Sequence, residues 1–151
     1  MLDLYSKHST PESLYGYDQL EKKYSKPTMD MCNHMMKVNY RNLAFNEFPY
    51  NFVKELPDGL SVEWLLSLKD TLITQLPNNL TVRGSMNIEN TPISHLPEYL
   101  TIGQELYLHD TPMLDKESLP WNTMTVGGQI YGVPEEIARL HSNFGFRFDD
   151  E

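Results

Sequence analysis

LPNNLTVRGSMNIENTPISH occupies residues 76–95, and its opening dipeptide recurs. Leu-Pro stands at Leu56-Pro57, Leu76-Pro77 and Leu96-Pro97, 20 residues apart, and again at Leu119-Pro120 after 23. A fixed period of this size is the signature of a solenoid, in which each unit buries its apolar side only by stacking on its neighbours. Inside residues 76–95 the apolar positions Leu80 and Val82, then Met86 and Ile88, are two apart, the period of an extended strand. Each unit therefore offers two short extended pieces with a junction between them. Glycine makes that junction look loose: Arg83-Gly84 here, Gly103 in the next unit and Gly127-Gly128 in the last.

The neighbouring units repeat the same columns. Leu60, Leu80, Leu100 and Met124 form one, and Val62, Val82, Ile102 and Val126 the next. Leu66, Met86, Leu106 and Ile130 follow, with Leu68, Ile88 and Leu108 two residues on. Behind a turn at Thr71, Thr91 and Thr111 stand Ile73, Ile93 and Met113. The prolines 57, 77, 97 and 120 lack the donor that a ladder needs, so they mark corners. Asp70-Thr71, Asn90-Thr91 and Asp110-Thr111 put short polar side chains at an inward bend, where they can bond freed backbone groups.

These units resemble short leucine-rich repeats, notably the Leu-Pro-type repeats of secreted bacterial effectors, and more closely the LPxxLTVxGSLxLxxTxI arrays of phage and prophage proteins. Residues 76–95 follow that pattern nearly throughout. Trp64-Leu65 replaces the glycine-serine pair in residues 56–75, and residues 96–118 carry the insertion Asp115–Ser118. The ubiquitin-ligase domain of some effector relatives has no counterpart in this sequence, and Cys32 lies in Met-Cys-Asn-His without that family's acid two residues on. The resemblance implies an α+β architecture: a short leucine-rich-repeat-like β-solenoid with a helical N-terminal cap and a short helix and strand as C-terminal cap.

One structural domain then divides into a cap and first edge strand (1–55), the repeats (56–134) and a C-terminal cap with an acidic tail (135–151). Its 151 residues are enough to bury about 70% of the surface exposed by the unfolded chain. In the first segment Ser9-Thr10-Pro11-Glu12 reads as a helix start, with Leu14, Tyr17, Leu20 and Tyr24 on one face. A second start at Thr28 leads through Cys32, Met35 and Met36, and residues 42–45 supply the edge strand. Phe48, Phe52 and Val53 follow as a first partial coil. At the other end Pro134 opens a helix over 135–140, and Phe144, Phe146 and Phe148 alternate as in a strand. That tail reads either as a cap over the last coil, the preferred reading, or as a strand docking on a partner's sheet.

The net charge of −9 is unevenly placed: residues 1–55 balance, 56–134 carry −6 and 135–151 carry −3. A protein that tracks phosphates presents the opposite sign, so direct nucleic-acid binding is disfavoured. The acidity suits either a basic protein partner or plain solubility. No run of residues approaches a membrane span, the N-terminus lacks the pattern of an export signal, and one cysteine leaves no intramolecular disulfide. A cytoplasmic protein is expected, inside the host cell if phage-encoded.

For chemistry the sequence offers little. His8, His34, His95, His109 and His141 are scattered without metal-ligand spacing, Cys32 and His34 make a poor nucleophile–base pair, and no phosphate-binding loop or nucleophile elbow occurs. No catalytic residue, metal or cofactor is assigned. The column between the strand leucines is Ser67, Asn87, Tyr107 and Tyr131. It is flanked by Leu65, Ser85, Glu105 and Gln129 on one side and by Lys69, Glu89 and His109 on the other. Leucine-rich repeats commonly bind partners on that face, so Asn87, Glu89, Glu105, Tyr107, His109 and Tyr131 are the candidate contact residues. Trp64 reads either as packed beneath the N-terminal cap, the preferred reading, or as an exposed anchor, and Met29, Met31, Met35 and Met36 as core or as an adaptable promiscuous or dimer surface.

The expected function is a non-enzymatic protein–protein interaction module: a phage-type, anti-defence or host-takeover inhibitor (anti-CRISPR-like) that occludes a basic patch of a host protein, acting as a partial mimic if that patch normally grips nucleic acid. Two alternatives stay open. One is a self-associating structural or minor virion protein, with the homodimer as one of its states. The other is an enzyme with an unrecognised site, a reading that loss of a measured activity on changing both Cys32 and His109 would support.

Overall fold

In a computed structural model the chain is a parallel-strand β-solenoid of about five turns with short helices at its ends. The structure describes residues 11–112, 119–141 and 144–147. Ser9, Thr10, Met113, the insertion at 115–118 and Phe148 lie outside these, as do the side chains of Leu14 and Tyr17.

Each of the four repeat coils contributes one two- or three-residue strand to each of two sheets, and the first of these sheets gains one further strand at either end. The six-stranded sheet has the order β1 (Leu43–Ala44), β3 (Leu66–Ser67), β5 (Met86–Asn87), β7 (Leu106–Tyr107), β9 (Gln129–Tyr131) and β10 (Gly145–Arg147). The four-stranded sheet runs β2 (Ser61–Val62), β4 (Thr81–Val82), β6 (Thr101–Ile102) and β8 (Thr125–Val126). Every pairing is parallel and in register with the sequence period: Leu66 pairs with Met86, Met86 with Leu106 and Leu106 with Ile130. These four side chains are at most 1% exposed. Val62, Val82 and Ile102 form a matching buried row in the other sheet. Because each residue is covered by its equivalent one coil away, the described residues of the apolar columns form the core, with Val126 partly buried at its margin.

The corners are held by side-chain bonds. Thr71, Thr91 and Thr111 each donate through Oγ1 at 2.7 Å to the carbonyl three residues earlier, of Leu68, Ile88 and Leu108. Thr71 and Thr91 are buried. The preceding Asp70, Asn90 and Asp110 do not share this interior, contrary to expectation. They take left-handed φ values of 65°, 56° and 58° and point to solvent, where Asn90 Nδ2 donates to Asp70 Oδ1 at 2.9 Å. The opposite corner uses the same conformation at Gly59, Asn79 and Tyr99, with φ of 77°, 59° and 61°.

The strand junctions are tight, not loose. A Cβ at Gly84 would stand 2.5 Å from the Trp64 carbonyl oxygen, and one at Gly103 would run into the carbonyl of Arg83. Glycine is needed there for the close approach of successive coils.

At the N-terminal end α1 (Pro11–Tyr24) lies against a 3₁₀ turn (Tyr50–Phe52), with Tyr24 and Tyr50 edge to face at 5.4 Å. Helix α2 (Met29–Val38) begins at Thr28, whose hydroxyl accepts from the Met31 N–H at 3.1 Å. It drives Cys32, Met35 and Met36 into the core, with Met29 and Met31 packed at its margin. The chain leaves α2 through two consecutive left-handed residues, Tyr40 and Arg41, and the Arg41 N–H closes the helix on the Met36 carbonyl at 2.7 Å. At the other end α3 (Glu135–Leu140) buries Ile137 and Ala138, and β10 adds to β9 with Phe146 beside Ile130. Phe144 and Phe146 therefore pack over the last coil as a cap. Trp121, which lies over His141 with ring centroids 3.8 Å apart, meets Phe144 edge to face in the same cap.

Candidate binding face

Strand residues alternate in direction, so burying Leu66, Met86, Leu106 and Ile130 turns the residue after each of them outward. Ser67, Asn87, Tyr107 and Tyr131 accordingly form one half-buried row in register across β3, β5, β7 and β9. The two tyrosines stack with ring centroids 4.9 Å apart and planes 8° from parallel. The parallel register places them at neighbouring strand positions, and the offset stack removes part of each ring from water.

The flanks are organised by hydrogen bonds between coils. On one side Glu105 Oε1 accepts from Ser85 Oγ at 3.2 Å, and the Glu105 N–H donates back to that oxygen at 3.2 Å. On the other side Glu89 Oε2 lies 2.9 Å from His109 Nδ1, and Lys69 Nζ is 3.8 Å from Glu89 Oε1. Asn87 Oδ1 accepts from the Glu89 N–H at 2.9 Å, tying that side chain down along its own strand. Burial, then the charges of Glu105, Tyr131 and Glu89, push the Tyr107 phenol above its ordinary pKa. It remains a neutral hydroxyl able to donate at physiological pH. All six residues chosen from the sequence, Asn87, Glu89, Glu105, Tyr107, His109 and Tyr131, thus come together on this face.

The row extends further than the repeats. Ala44 pairs with Ser67 and forms its N-terminal end. Beyond it a cleft of about 410 Å³ opens between α2 and the 3₁₀ turn, lined by Val38, Asn42, Ala44, Glu47 and Tyr50 among others. Reading residues 42–45 as an edge strand already implied that Ala44 joins the row, but the cleft depends on where α2 sits.

Trp64 is not packed beneath the cap: it is 51% exposed. Helix α2 buries Cys32, Met35 and Met36 and leaves half of the Trp64 surface open, while the Trp64 N–H donates to the Arg41 carbonyl at 3.1 Å. Cys32 is fully buried, and desolvation pushes its thiol up to about 11, so it stays protonated at neutral pH. Its neighbour His34 is exposed. Among the described residues no three histidines, cysteines or acids gather to hold a metal ion, and no helix is long and apolar enough to cross a membrane. Comparison with protein-family models, with curated proteins and with solved structures returns no match for this chain.

Proposed function

We propose that this chain is a non-enzymatic protein-binding module that inhibits a host protein by occlusion, as a phage-encoded anti-defence or host-takeover factor does. The observation that carries this reading is the stacked Tyr107–Tyr131 pair, held in register beside Glu105 and Glu89 on an otherwise polar face. Rigid aromatics bordered by charge are what interfaces use as anchors, since tyrosine supplies contact area with few rotatable bonds. The acidic repeats complement a basic partner surface, and covering a surface that grips nucleic acid would block its ordinary ligand.

Capture from lysate of a bacterial host, with wild type and a Tyr107→Ala/Tyr131→Ala variant in parallel, tests the face. A protein retained by wild type and lost by the variant, whose own activity falls on stoichiometric addition of wild type, is the expected result. Identical capture by both proteins removes the face from the proposal, and capture without loss of activity removes inhibition. Self-association is the weaker reading. The methionines of α2 and the phenylalanines 144 and 146, the contacts it would use, are packed against the core of their own chain.

A further inference from the structure

The outward row changes height abruptly. Ser67 and Asn87 are short, and the next residue in register, Tyr107, carries a full aromatic ring. One face of that ring is taken up by Tyr131. The other is turned toward Asn87, one strand spacing of about 4.8 Å away. Asn87 stays low because its amide oxygen is bonded to the Glu89 N–H. Tyr107 therefore stands as a wall over a polar floor. Carboxylates flank this notch: Glu105, drawn toward Ser85, on one side, and Glu89, fixed beside His109 and 3.8 Å from Lys69 Nζ, on the other, so that an incoming guanidinium shares Glu89 with Lys69.

An aromatic wall, a floor of short polar groups and an acid at each flank form a site for a planar cation. A guanidinium can lie flat on a tyrosine ring while its in-plane N–H groups reach carboxylates on both sides. An ammonium group is compact and strongly hydrated and gains much less from the same ring. We infer that the notch formed by Asn87, Tyr107, Glu89 and Glu105 seats an arginine side chain of a protein partner, its guanidinium stacked on the face of Tyr107 turned away from Tyr131. This rests on the protein-binding reading above and narrows it to the residue the partner must present.

Titration of the full chain with nona-arginine and nona-lysine peptides at equal low ionic strength, followed by amide and side-chain NMR shifts, tests the assignment. Nona-arginine is expected to bind about tenfold more tightly than nona-lysine, with the largest shifts at Asn87 and Tyr107. Tyr107→Leu should erase that preference while leaving weak binding of both peptides, and Glu105→Gln should weaken both. Equal affinity of the two peptides for wild type overturns the arginine site but leaves an acidic binding face intact. A preference that survives Tyr107→Leu overturns it as well. Failure of both peptides to bind overturns the site and the basic-partner reading together.

Discussion

Leu106 and Tyr107 are adjacent in one two-residue strand, yet they belong to rows that follow different rules. The inward row runs Leu43, Leu66, Met86, Leu106, Ile130 and Phe146, apolar in every coil. The outward row runs Ala44, Ser67, Asn87, Tyr107 and Tyr131 across the same pairings, and no chemical type persists along it. Both rows have the same backbone register. The inner one is uniform because each coil must present a surface that fits the coil on either side. Stacking leaves the outer one unconstrained, so its drift from small to aromatic residues is where specificity can be written.

The sharpest way to break this contrast is a pair of truncations one residue apart. Leu106→Ala, at a fully buried position, should lower unfolding stability by about 2–5 kcal/mol in a urea titration. Tyr107→Ala should cost about 1 kcal/mol or less, mainly the lost stack with Tyr131. Equal losses would mean that the outer row is structural. Next in size is Gly103→Ala, which drives a methyl group into the Arg83 carbonyl and should cost about 1–3 kcal/mol, read as a lower denaturation midpoint. A neutral effect would show that the junction has slack.

Thr91→Val keeps the shape of a buried side chain but removes the donor to the Ile88 carbonyl. A loss of about 1–2 kcal/mol by calorimetry is expected, since an interior carbonyl loses a partner. The smallest effect has the opposite sign. Tyr99 holds a left-handed φ of 61° at a corner where the equivalent residues are Gly59 and Asn79, and it is exposed. Tyr99→Asn should raise stability by about 0.5–1 kcal/mol, because asparagine tolerates that conformation better. A drop would reveal a contact that favours the tyrosine.

The inner row was legible in the sequence because the neighbour of each side chain is the equivalent residue one period away, so a column in the text is a contact in space. The threonine corners were legible for the same reason, and with them the outward row, fixed by alternation once the inward row is known. What escaped lies where contacts do not repeat. The residue in register below Trp64 is Arg41, which lies at the exit from α2 and outside the repeats, so the exposure of Trp64 depends on a coil that the pattern does not describe. The junction glycines signal a short side chain without saying whether the space is empty or filled, and here backbone fills it. The left-handed pair Tyr40 and Arg41, which are not turn-forming residues, gave no sign of the sharp exit from α2.

Registered stacking also gives the molecule a ruler. The cleft beside Ala44 and the ring of Tyr107 are three strand steps apart along a single row, about 14 Å. Duplicating residues 76–95 would lengthen that interval by one step, about 5 Å, while leaving both end structures unchanged. Any ligand long enough to touch both places has its reach set by the number of coils, so distance here is adjustable only in whole increments.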